Sequence, residues 1–144
     1  MPTPYESAVL NLRLFELRRE PVLREARAWF LGDFNPETFA EAAATIMGER
    51  NASFRMVIGY WDMAASLVTT GAIDAEAFLA ANGEIFLTFA KVQPFLAEAR
   101  AASGEQDFCR HIEAVVMGAP DAKEILTRRV AAARAAAKRR AEKL

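Results

Sequence analysis

The stretch Phe54 to Gly71 restricts this chain more than any other. On a helical wheel one apolar row is Phe54, Ile58, Trp61, Ala65 and Val68, and a second is Met56, Tyr60, Met63 and Leu67. The polar residues fall on one thin line: Arg55, Gly59, Asp62, Ser66 and Thr69. A helix that is apolar around most of its circumference belongs inside a bundle. The expected fold is therefore all-α: a single-domain bundle of six or seven helices around a central buried helix at about residues 53–70.

Local chemistry marks where that helix stops and its neighbours begin. Gly71 suits the left-handed residue just past a helix C-terminus. Asp74 reads as an N-cap flanked by the staple pair Ile73 and Phe78. Asn82-Gly83 closes that short helix. Glu84 opens a longer one carrying Ile85, Phe89, Val92, Leu96 and Ala99. Pro94 lies inside this pattern and should bend it, since it lacks an N–H and its ring crowds the carbonyl of Ala90.

The first four residues are expected to fray. Tyr5 to Arg19 carries two apolar stripes, Tyr5, Val9, Leu12, Phe15 and Leu10, Leu14, Leu17. That face is too wide for a lone surface helix. It is either deeply buried or shared with a second subunit, and Leu10, Leu14 and Leu17 are the candidate self-association face. Pro21 kinks this helix or starts the next. Asn35 reads as an N-cap, Pro36 as the first helical residue, and Phe34 with Phe39 as a staple, for a helix ending near Met47. A further helix is expected from about Glu105 to Met117. Asp121 with Glu124 resembles a capping box for the last one.

With 144 residues the chain fits one domain and can bury a core without staples. Its single cysteine, Cys109, excludes an internal disulfide and fits a reducing compartment. No apolar run approaches the roughly 20 residues of a membrane span, and no stretch reads as a secretory signal. A cytoplasmic location without membrane association is the expectation. Net charge is −1 but uneven. Residues 121–144 hold eight Lys/Arg against three Asp/Glu, while residues 1–120 hold ten against sixteen. Residues 1–120 thus read as an acidic bundle, and 121–144 as a basic, alanine-rich helix that packs on it or projects from it.

Catalytic signatures are sparse. His111 and Cys109, two apart, point to different faces of a helix, which disfavours a nucleophile pair. They are also too few for a zinc site. No phosphate-binding glycine loop, dinucleotide pattern or nucleophile elbow occurs. Catalytic, metal and cofactor-binding residues are therefore not assigned. The polar line Arg55, Gly59, Asp62 and Ser66 is the candidate buried polar seam. A carboxylate on so apolar a helix needs a partner, and Lys91, Arg100 and Arg27 are candidates. Gly59 then allows close helix approach. Asp62 as acid or base in a small-molecule pocket is the alternative. The basic tail could meet phosphate backbones, yet no aromatic residue interleaves with its charges, so nucleic acid is a lesser reading. A non-enzymatic, self-associating interaction protein, most simply a dimer, is the leading one.

The strings Tyr60-Trp-Asp-Met-Ala-Ala-Ser-Leu-Val, Gly71-Ala-Ile-Asp, Asn82-Gly-Glu and Lys91-Val-Gln-Pro-Phe-Leu, with Arg100, carry a resemblance. Leu17-Arg-Arg-Glu, Arg24-Glu-Ala-Arg-Ala-Trp and Phe34-Asn-Pro extend it. Together they resemble a bacterial all-helical family of domains of unknown function, over roughly residues 10–117. The resemblance implies a soluble helical fold and brings no activity, ligand or catalytic residue. The tail beyond Pro120 lies outside it.

Overall fold

A computed structural model of residues 1–144 contains nine α-helices, one 3-10 turn and no strand. The helices are α1 (Pro4–Arg18), α2 (Pro21–Gly32), α3 (Phe39–Ile46), α4 (Asn51–Thr69), α5 (Ala75–Ala81), α6 (Glu84–Val92), α7 (Leu96–Ser103), α8 (Arg110–Met117) and α9 (Ala122–Glu142). They form one all-α domain around a continuous hydrophobic core. The count exceeds six or seven partly because the 3-10 turn Gln93–Phe95 at Pro94 divides α6 from α7 instead of bending one helix.

Most helix starts follow from side chains within a few residues. Thr3 and Glu6 form a reciprocal capping box ahead of Pro4, so α1 begins where fraying was expected. The Glu20 carboxylate accepts the Val22 and Leu23 amides, with Pro21 as the first residue of α2. Asp74 accepts the Ala77 amide, and the staple pair Ile73 and Phe78 is buried beside it. Gly71 at φ +85° and Gly104 at φ +75° end α4 and α7 in the left-handed region that glycine enters without strain.

Two expected starts and one expected cap differ. Helix α3 begins at Phe39, and Thr38, not Asn35, caps it by accepting the Glu41 amide. Asn35 instead turns back to donate to the Gly32 carbonyl. Asp121 takes a left-handed conformation at φ 57° and makes no side-chain cap for α9. Helix α8 starts at Arg110, not near Glu105, after a turn that leaves Cys109 at φ 61°.

Helix α4 packs on α2 and α8, while α6 packs on α8, α9 and α2. Trp61, Ala64 and Ala65 of α4 and Ile85 and Phe89 of α6 are essentially sealed. Where α2 meets α4, aromatic rings cluster: Phe30 lies 5.2 Å from Phe34, Phe34 5.7 Å from Phe54, and Phe54 6.5 Å from Phe108. Helix α4 is less enclosed than its pattern suggested, because Met56 and Met63 of the second apolar row reach solvent. Helix α9 docks along the body. Ala122 and Leu126 are buried at its start, and near its end Arg140 donates to the Gly32 carbonyl of α2. Helix α1 sits at the edge, chiefly on α5.

Candidate functional site

The polar line of α4 does not form a buried seam. Arg55 and Gly59 are exposed, and a Cβ on Gly59 would meet nothing within 4 Å, so no close helix approach depends on it. Ser66 donates back to the Met63 carbonyl within its own helix. Asp62 is half-buried and spends its carboxylate on α8. Its Oδ1 accepts the amides of His111 and Ile112, each at 3.0 Å. These are orphan donors of the first turn of α8, and the preceding residue, Cys109, has no side chain able to take them. Asp62 is therefore an N-cap supplied by another helix. Lys91, Arg100 and Arg27 are committed elsewhere and do not pair with it.

Those three cations serve similar ends. Lys91 Nζ donates to the Leu31 carbonyl at 2.9 Å, the Phe34 carbonyl at 2.8 Å and Asn35 Oδ1 at 2.9 Å, closing the C-terminus of α2. Burial chiefly, with Arg140 adding repulsion, lowers its ammonium to about 8. Arg100 donates to the Phe108 carbonyl and to Glu113. Arg27 grips Glu84 through two bonds of 2.8 Å and donates to the Arg18 carbonyl at the end of α1. The Glu84 hydrogen bond raises the Arg27 guanidinium's pKa further.

A polar hub lies next to that pair. Arg18 donates to Asn82 Oδ1. The Asn82 amide donates to Asn11 Oδ1 at 3.0 Å and to the Phe78 carbonyl at 2.8 Å. Tyr60 donates to the Leu14 carbonyl at 2.8 Å, and burial raises its phenol above the usual range. The Arg18 guanidinium lies 5.4 Å from the Trp61 ring centroid, within cation–π range. The indole N–H of Trp61 has no acceptor. The hub joins α1, α4 and α5, and the Arg27–Glu84 pair beside it adds α2 and α6. Apart from the Trp61 indole, its hydrogen-bonding groups answer one another or backbone carbonyls, and they clamp these helices together.

Other chemistry-bearing residues are dispersed. Cys109 is buried, and burial pushes its thiol up to about 12, so it stays protonated and unreactive at neutral pH. The His111 ring contacts Thr69 Oγ1 at 2.7 Å and does not meet that thiol in a hydrogen bond. No three His, Cys, Asp or Glu side chains gather into a possible metal cluster. No helix is long and apolar enough to cross a membrane.

The surface feature that stands out is on α1. Leu14 is only 2% exposed and belongs to the core, and Leu10 packs against it. Of the expected self-association face only Leu17, 39% exposed, remains open. The other stripe is the exposed one: Tyr5 at 78%, Val9 at 46%, Leu12 at 64% and Phe15 at 51%. Both stripes were visible as periodicity. Periodicity alone did not say which faces inward. Four large apolar side chains in line on one helix are more than the scattered exposed residues a monomer surface needs.

Comparison with known proteins adds the family and nothing about chemistry. No curated protein and no solved structure matches the chain. The family model described as domain of unknown function DUF4760 matches residues 5–118, from α1 through α8, leaving α9 outside. The capping side chains Arg27, Asp62, Lys91 and Arg100 and the hub all lie within that span, and the chain belongs to the DUF4760 family.

Proposed function

We propose that this is a non-enzymatic interaction protein that self-associates into a two-fold dimer through the exposed stripe of α1. The observation that carries this reading is the stripe itself, a row of four large apolar side chains left uncovered along one helix. Its order is aromatic, aliphatic, aliphatic, aromatic along Tyr5, Val9, Leu12 and Phe15. Such an order is close to palindromic. An antiparallel pair of α1 helices would set Tyr5 against Phe15 of a second copy, with Ala8 against Leu12. A two-fold interface needs self-complementarity of this kind. Charge agrees with it. Glu6 and Arg13, two turns apart on the same flank, would face Arg13 and Glu6 of the other copy. The absence of catalytic or metal-binding constellations and the commitment of Asp62 to capping weigh against the alternative of a reactive pocket there.

One helix stripe buries little area, at the low end for specific association, so the dimer should be weak and in the micromolar range. The single, unreactive cysteine and the resemblance to a bacterial family favour a bacterial cytoplasmic setting. Sedimentation equilibrium over micromolar to millimolar protein tests the proposal. A reversible monomer–dimer equilibrium, shifted to monomer by Leu12→Glu at unchanged helicity, is expected. A chain monomeric throughout would remove it.

A further inference from the structure

A second open feature is the cleft between α9, α6, the Pro94 turn and the loop 33–37, with a volume of about 700 Å³. It exists because α9 is alanine-rich. Ala133 and Ala137 face the cleft, and side chains this short leave space over Leu87, Ala90 and Phe95 that larger residues would fill. The volume lies within the range of small-molecule sites. The lining is mixed in an ordered way. The floor is apolar, and the charged groups are Lys91, Arg134 and Glu37. Lys91 is tethered to the end of α2 and contributes only its field. Arg134 is different: it is exposed and makes no salt bridge or side-chain hydrogen bond, so its guanidinium is free for a ligand. Glu37 partly offsets the two cations. The Arg140–Asp33 pair nearby, 3.7 Å apart, balances itself.

We propose that this cleft binds a single-chain amphiphilic carboxylate, with the chain on Phe34, Leu87, Ala90, Phe95 and Val130 and the headgroup at Arg134. A guanidinium matches a carboxylate in a two-point hydrogen-bonded geometry, which a neutral or cationic headgroup cannot form. The apolar floor supplies the attraction and Arg134 the selection by charge. The site is independent of the α1 stripe and stands or falls separately from self-association.

The test uses the full chain and decanoate, titrated calorimetrically, with decyltrimethylammonium as the cationic counterpart. Amide chemical shifts map the site. Saturable decanoate binding is expected, with shifts concentrated in Leu87–Lys91 and Val130–Ala137. Arg134→Ala, a change at an exposed position, should weaken decanoate by about tenfold while leaving the fold intact. Ala133→Phe should abolish binding by filling the cleft. Leu12→Glu should leave binding unchanged. Equal affinity for the two headgroups, shifts confined to α1, an unaltered Arg134→Ala variant, or no saturation into the millimolar range would each overturn the assignment.

Discussion

Asp62 on α4 caps α8 across the bundle: its Oδ1 accepts the His111 amide at 3.0 Å, and the Ile112 amide at the same distance. An ion pair and a cap respond differently to the same substitutions. Asparagine keeps an acceptor oxygen of the same shape, so Asp62→Asn should shift stability by only a few tenths of a kcal/mol. Asp62→Ala leaves two helix-end donors unanswered and should lower it by about 1–2 kcal/mol. Urea denaturation of the two variants separates these roles. Equal, large losses in both would favour a paired charge instead.

The proposed antiparallel arrangement of α1 makes a geometric prediction. Val9 lies close to the two-fold axis, so two copies of a Val9→Cys variant should bring their thiols together and oxidise to a disulfide-linked dimer. Tyr5 lies near one end of the stripe, and the Tyr5→Cys thiols would be separated by about 15 Å of helix rise. That variant should not cross-link to itself. The native Cys109 is buried and does not compete. Non-reducing electrophoresis after mild oxidation reads the result, and efficient Tyr5→Cys cross-linking would point to a parallel pair.

What was legible in the sequence was set by near neighbours. The Asp74 cap, the Ile73–Phe78 staple and the turn at Gly71 involve residues only a few positions apart, and each lies where local chemistry puts it. Asn35-Pro36 failed because a better offer came from far away: Lys91 donates to Asn35 Oδ1 while the Asn35 amide turns to Gly32, leaving Thr38 to start α3. Asp62 stands out in the sequence as a carboxylate on a largely apolar helix. Its partners lie 49 and 50 residues away and are backbone amides, which no charge pattern reveals. The start of α8 at Arg110, which lacks a capping side chain of its own, was itself not legible, because the apolar periodicity reads from about Glu105. Leu14 and Leu12 illustrate the remaining limit, since two stripes of similar composition face opposite ways once α5 covers one of them.

Helix α9 should owe its attachment to its first turns. Leu126 is 5% exposed in the core, whereas the pair joining Arg140 to Asp33 is solvent-facing on both sides. Leu126→Ala should lower stability by about 2–4 kcal/mol through lost burial and a residual cavity. Arg140→Ala should lower it by less than about 1 kcal/mol, because exposed ion pairs contribute little. Hydrogen exchange supplies the complementary reading: amide protection should be high near Leu126 and fall toward Lys143. Uniform protection along α9, or a larger effect at Arg140, would reverse this assignment.

Lys91 predicts a rise of stability with pH that runs against Cys109. Burial holds the Lys91 ammonium at about 8 against an ordinary 10.5. Below about 8 both folded and unfolded chains carry the proton, and the cost of burying the charge is fully present. Between about 8 and 10.5 the unfolded chain binds more protons than the folded one, so stability increases with pH. Lys91 is only partly shielded from water, which limits the gain to about 1 kcal/mol. Cys109 has the opposite sign. Its folded thiol is raised from 9.0 to about 12, so above about 9 the unfolded chain ionises first and stability falls. The unfolded thiol is still largely protonated below about pH 8.5, so the lysine dominates the window from about pH 7.5 to 8.5. Guanidinium denaturation across it should show wild-type stability rising, while Lys91→Met, weaker for want of the α2-closing hydrogen bonds that the amine donates, should show no such rise. An identical slope in the two proteins would mean that the amine titrates as it does in water and that its burial does not perturb it.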